Sequence, residues 1–173
     1  MDLEQLIRDI PDFPKKGIIF KDITPLLADG PAFRHAVDEL AGKFAGRGAT
    51  KILAAEARGF IFGAALAYKL GIGFVPVRKP GKLPHKAVSV TYELEYGTDT
   101  LCMHEDAVAP GERVLVIDDL LATGGTVEGM LKLVEQAGGE VAGIGFLIEL
   151  DFLKGRDRLG GLPIETLLHV AGE

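Results

Sequence analysis

The stretch Arg113-Val-Leu-Val-Ile-Asp-Asp-Leu-Leu-Ala-Thr-Gly-Gly-Thr126 decides the fold. Val114 to Ile117 are consecutive apolar, mostly β-branched residues, the composition of a strand buried on both faces at the centre of a parallel sheet. The run stops at Asp118 and Asp119, and open α/β sheets hold their ligands at that end of their strands. Ala122, Thr123, Gly124, Gly125 and Thr126 form a small-residue turn, after which Val127, Met130, Leu131 and Val134 recur at helical spacing. A strand thus leads through a turn into a helix.

That turn suits a phosphate. Glycines let the backbone approach, N–H groups at a helix start point outward, and Thr123 and Thr126 add hydroxyl donors. No lysine follows the glycines, so this is not the GxxxxGK[ST] loop, and Gly71-x-Gly73 and Gly143-x-Gly145 lack the rest of a dinucleotide fingerprint. Taken singly, these features describe a capped turn beside solvated acids; the contiguous set does not. Ionised Asp oxygens accept hydrogen bonds from hydroxyls, so the acids and the turn together suit a ligand with a phosphate at one end and vicinal hydroxyls beside it. Ribose 5-phosphate has that form.

Outward from this segment, strands and helices alternate. Lys51 to Glu56 and Gly73 to Val77 read as further strands, the second given an edge or irregular position by Pro76, and Val141 to Ile148 as another buried one. Helices are expected from Pro31 to about Lys43, from Phe60 to Leu70 and over 125 to 137, with a short helix at Asp151 to Leu159 and a final strand at Leu162 to Val170. Alternation of this kind specifies an α/β fold with a parallel sheet flanked by helices. Leu3, Leu6, Ile7 and Ile10 predict a short amphipathic helix before Pro11, and the Pro- and Gly-rich residues that follow make 1–30 a small hood across the sheet. Arg78-Lys-Pro-Gly-Lys-Leu-Pro-His85 is basic and irregular; it precedes an alternating stretch that Gly97 turns back, so that 78–100 reads as a hairpin, either a solvated tip or a lid. Nothing divides the chain, and 1–173 is read as one domain.

Composition sets limits. Of 173 residues 47% are hydrophobic and 25% charged, which disfavours disorder. The net charge of -6 and pI near 5.3 disfavour general nucleic-acid binding. No apolar run suits a bilayer and the N-terminus has no signal-peptide character, so a cytoplasmic protein without membrane partners is expected. Cys102 stands alone, and His35, His85, His104 and His169 show no metal-ligand spacing.

The segment ending at Thr126 resembles the 5-phosphoribosyl-1-pyrophosphate (PRPP) motif of the type I phosphoribosyltransferases. Phe13 to Thr24, Glu56-Ala-Arg-Gly-Phe60, Arg78 to Pro84 and Leu94-Glu-Tyr-Gly97 occur in the right order to resemble the adenine-specific branch of that family, over nearly the whole chain. The resemblance implies adenine and PRPP as substrates, AMP and pyrophosphate as products, Mg²⁺ bound mainly through PRPP, and a homodimer. It implies that Phe20 stacks on the purine, that backbone groups of Ile19 and Lys21 read its edge, that Glu95 manages a ring proton, and that the Glu56–Ala57 peptide is cis. In a PRPP enzyme Arg58 can grip pyrophosphate bidentately while Gly59 admits main-chain N–H groups. As a lid, 78–100 would close Lys79 and Lys82 on pyrophosphate and swing Glu95 and Tyr96 over the reacting carbon, excluding water. Another purine phosphoribosyltransferase, or a PRPP-sensing regulator without catalysis, stands as the alternative.

Overall fold

The structure is a computed structural model and describes residues 1–94 and 97–172. Its centre is a five-stranded, wholly parallel sheet ordered β4-β3-β7-β8-β9, formed by Lys51–Ala55 (β3), Gly73–Val77 (β4), Arg113–Leu121 (β7), Glu140–Leu150 (β8) and Ile164–Val170 (β9). Val114, Leu115, Val116 and Ile117 are all buried, as a central strand requires. Their side chains alternate between two cores: Leu115 and Ile117 join Leu40, Phe44, Phe62 and Leu66 on one face, while Val114 and Val116 join Val127, Met130 and Leu133 on the other.

The first face is covered by α2 (Gly30–Phe44) and α3 (Arg58–Leu70), with the short α1 (Thr24–Ala28) packed on α2; α4 (Gly125–Gln136) covers the second. Asp29 caps α2 by accepting from the Ala32 N–H at 3.0 Å. Beside α4 lies the antiparallel hairpin β5 (Ala87–Glu93) and β6 (Thr98–His104), joined to the edge strand by paired hydrogen bonds between Arg78 and Cys102. β4 is at the sheet edge, where Pro76 costs no ladder bond in the interior.

Three expectations need correction. Residues 3–10 are not a helix: Leu3–Leu6 make one 3-10 turn and Arg8–Pro11 form β1, paired antiparallel with β2 (Ile19–Asp22). The apolar residues there serve a two-stranded hood, flanked by Leu3, Ile23 and Leu26, which enter the core. The central strand does not stop at Asp118 but continues through both acids to Leu121, because β8 keeps pairing with it as far as Glu149. Asp151 to Leu159 is two 3-10 turns, Asp151–Leu153 and Gly155–Arg158, separated by Lys154 at φ 52°, a left-handed residue that no continuous helix accommodates.

Candidate active site

At the carboxyl end of β7 the chain turns through Ala122, Thr123 and Gly124 into α4. Gly124 has φ 91°, a conformation an L side chain rarely takes, and a Cβ there would lie 2.8 Å from the Gly155 carbonyl oxygen. Among the described residues no protein group accepts a hydrogen bond from the Thr123 or Gly124 N–H, and the first amides of α4 have no intrahelical partner by construction. A cleft beside Asp118 and Leu94 is lined by the whole Ala122–Thr126 turn. These are the properties of an anion site at a helix start.

Asp118 and Asp119 sit immediately before it. Asp118 Oδ1 accepts the Asp119 N–H at 2.9 Å, and a Cβ on Gly59 would lie 2.9 Å from the same oxygen, so a side chain at 59 would displace the carboxylate. Burial, then the neighbouring Asp119 charge, holds the Asp118 carboxyl well above the ordinary 3.8. Asp119 is buried; Arg58 Nε lies 3.0 Å from its Oδ2, yet among the described residues that oxygen has no hydrogen bond of good geometry. The Arg58 guanidinium is stacked 4.8 Å over the Phe20 ring, whose edge contact with Phe13 is 5.1 Å. Phe20 and Arg58 line a cavity of about 560 Å³, together with Ile19, Lys21, Thr123 and Leu153. The hood thus closes one side of a chamber that reaches the phosphate turn.

Residues 26–159 match the family described as the phosphoribosyl transferase domain. The adenine phosphoribosyltransferase of Solidesulfovibrio magneticus is 67% identical over 171 residues, 99% of this chain and 100% of that one. The chain belongs to the adenine phosphoribosyltransferase family. The crystal structure of the Thermoanaerobacter pseudethanolicus adenine phosphoribosyltransferase superposes with a TM-score of 0.95 at 58% identity, covering 97% of this chain and 98% of that one. The Saccharomyces cerevisiae adenine phosphoribosyltransferase, solved with D-2,5-dideoxy-2,5-imino-altritol 1,6-bisphosphate and adenine, gives 0.90 at 40% identity, with 96% of each chain covered.

Within this family member, the remaining residues singled out from sequence fall into two groups. Ile19, Phe20 and Lys21 are brought to the chamber on β2, which pairs only with β1 and so leaves one backbone edge unpaired. The Glu56–Ala57 peptide is cis, and Gly59 lies in the first turn of α3 with Arg58. Glu56 itself faces away from free solvent chemistry: it accepts the Lys79 N–H at 2.9 Å and Arg78 Nε at 3.2 Å, and the Lys79 bond chiefly lowers its pKa. Lys79 is not poised over the chamber. It is ion-paired with Asp99 and lies 3.4 Å from the Tyr92 hydroxyl; burial opposes its charge, but those partners outweigh it and raise its pKa. Lys82 is exposed. Glu95 and Tyr96 lie outside the described residues; Leu94, which precedes them, lines the phosphate cleft and donates to the Gly97 carbonyl at 2.9 Å.

Sequence reasoning missed Asp99 as the partner of Lys79 and left Glu149 without a role. Glu149 is buried at the end of β8, held by Arg156 through Nε at 2.8 Å and Nη2 at 2.7 Å. His169, remote in sequence, comes within 2.8 Å of Asp151 and 3.7 Å of Glu149, but Glu149 already gives both oxygens to Arg156.

Proposed function

We propose that this chain transfers the 5-phosphoribosyl group of PRPP to adenine, breaking the bond from the anomeric carbon to pyrophosphate and making one to a ring nitrogen, so that AMP and pyrophosphate leave. One observation carries the reading. Among the described residues the Thr123 and Gly124 amides have no acceptor and line a cleft with Asp118, the Phe20 ring lines a neighbouring one with Arg58, and the two share Leu120, Ala122 and Thr123, a layout that suits phosphate, ribose and base in turn.

The turn amides and the hydroxyls of Thr123 and Thr126 hold the 5-phosphate, favoured by the positive start of α4. Asp118 and Asp119 accept from the ribose hydroxyls, and their charge supports the positive character the sugar develops as pyrophosphate departs. Their donor set suits Mg²⁺: hard carboxylate oxygens, one of them buried and without a hydrogen bond. When bound with PRPP, that ion offsets the charge of the leaving pyrophosphate. Arg58 with the amides of Ala57 and Gly59 binds the leaving group, which requires the guanidinium to quit Phe20 and Asp119. Lys79 and Lys82 reinforce that end when the 78–100 hairpin closes, and closure brings Glu95 to the base and Tyr96 over the reacting carbon. Phe20 stacks the purine, and the free edge of β2 at Ile19 and Lys21 reads its rim.

The relatives' adenine specificity favours a role in purine salvage in the cytoplasm, since a polyphosphorylated sugar stays inside the cell that makes it. A homodimer is the expected assembly: Ile61 and Tyr68, seven residues apart on α3, are 37% and 92% exposed and form an apolar strip. Sedimentation reads the assembly. The activity is tested by incubating the protein with Mg²⁺, PRPP and each free base; AMP from adenine is expected, and turnover of only hypoxanthine, xanthine or orotate refutes the assignment.

A further inference from the structure

At Gly155 the segment Asp151–Arg158 meets the phosphate turn backbone to backbone. A Cβ on Gly124 would meet the Gly155 carbonyl oxygen at 2.8 Å; a Cβ on Gly155 would collide with the Ala122 oxygen, whose carbonyl carbon it would reach only at 3.2 Å. The Ala122 carbonyl is therefore aimed at Gly155. A trans peptide is planar with its C=O and N–H on opposite edges, so the N–H of Thr123, in that same peptide, is turned away from Gly155 and toward the cleft.

What holds Gly155 there is the next residue. Arg156 grips Glu149 bidentately, and Thr166 on β9 adds a hydrogen bond to Glu149 Oε2 at 3.0 Å. Glu149 pairs in register with Leu121, immediately before the turn. On the far side Arg158 reaches Glu128 in the first turn of α4 at 3.2 Å, and Leu159 is buried in the core. Neither Glu149 nor Arg156 lines the chamber or the phosphate cleft. Glu149 is buried but the Arg156 side chain is about half exposed, and a pair reaching solvent in this way is weak support for stability.

We propose that Glu149 and Arg156 are positioning residues for the 5-phosphate subsite: their bidentate pair presses Gly155 against Ala122 and so fixes the direction of the Thr123 amide. The inference rests on the phosphoribosyltransferase reading, deepening it at one end of the substrate. Arg156→Lys keeps the charge but cannot make the two parallel bonds that orient the segment.

The experiment compares binding of ribose 5-phosphate and of Mg²⁺-pyrophosphate to the full chain by calorimetry, alongside KM for PRPP, KM for adenine and thermal midpoint. For Arg156→Lys we expect ribose 5-phosphate affinity to fall about tenfold, with KM for PRPP rising in parallel. Pyrophosphate affinity, KM for adenine and kcat should stay within about twofold. Gly155→Ala attacks the same contact from the other side, with the ion pair intact, and should give the same selective loss. Equal ribose 5-phosphate binding by wild type and Gly155→Ala, or a loss in which both ligands weaken together with the thermal midpoint, overturns the proposal. If Arg156→Lys does not fold, Gly155→Ala alone decides. Failure of the wild-type protein to bind ribose 5-phosphate would instead overturn the parent reading.

Discussion

Replacing Phe20 with alanine tests the base end of the chamber, and its size follows from two opposed contacts. Stacking of a nucleobase on an aromatic ring contributes about 1–3 kcal/mol by alanine substitution. In the unliganded protein, however, the ring is covered by the Arg58 guanidinium at 4.8 Å. A partly exposed cation–π contact is worth about 0.5–1 kcal/mol, and the purine must displace it. The net loss in Phe20→Ala is then about 1–2 kcal/mol, a rise in KM for adenine of roughly 5- to 30-fold, since 1.36 kcal/mol is a factor of ten. Steady-state rates at saturating PRPP measure this directly, and KM for PRPP at saturating adenine serves as the internal control. Phe20→Leu keeps apolar area but not the flat face and should fall between. A raised KM for PRPP with an unchanged KM for adenine would refute the placement of the base on Phe20.

Asp118→Asn separates function from stability. Burial and then Asp119 raise the Asp118 pKa, so its favourable contribution is complete below the ordinary 3.8 and is lost as pH rises through the raised value. The variant should therefore gain about 0.5–2 kcal/mol at pH 7, a gain that vanishes in acid melts, while phosphoribosyl transfer falls about 100-fold or more. Gly63→Ala would place a methyl 2.7 Å from the Ala54 Cβ and 3.0 Å from the Phe74 ring, and should cost about 1–3 kcal/mol in denaturant unfolding with both KM values unchanged. Glu112, held by the Ala109 N–H and then Thr50, has a pKa below the ordinary 4.5, so its contribution is intact above that value and is lost as pH falls through the depressed one. Glu112→Gln should flatten the acid limb of the stability curve without altering turnover.

The parts of the fold legible in the sequence were those where local pattern and global role coincide. Val114 to Ile117 read as a buried strand, Pro76 as an edge or irregular position, and the small residues from Ala122 to Thr126 as a close-approach turn into a helix. The misreadings share a cause: residues 3–10 and 151–159 carry apolar residues at spacings a helix would use, but both segments are shaped by what they press against. The hood strand is set by pairing with Ile19–Asp22, and the 3-10 turns by the demand that Gly155 meet Ala122 without a side chain between. The Glu149–Arg156 and Lys79–Asp99 pairs were illegible because an acid at a strand end and a lysine in a loop reveal their partners only once the chain has folded.

The site is a set of groups held short of their best partners. Among the described residues Asp119 Oδ2 is buried beside Arg58 at 3.0 Å without a good hydrogen bond, Asp118 is buried beside a second negative charge, and the Thr123 amide points into the cleft. Each arrangement costs folding free energy that the core must offset, where Phe62, Leu115, Ile117 and Phe146 are fully buried. The cost has a chemical return. In the proposed reaction a phosphate would relieve the amide, sugar hydroxyls the carboxylates, and pyrophosphate would give Arg58 a better partner than a π-face. On the proposed reading, substrate binding would relax three local strains at once, and Arg58, shared between Phe20 and Asp119, would leave for the leaving group as base and sugar arrive to replace it. On that logic adenine and PRPP should bind with positive coupling in wild type, and Arg58→Ala should lose the coupling together with pyrophosphate affinity, a result calorimetry with each ligand in the presence and absence of the other would register.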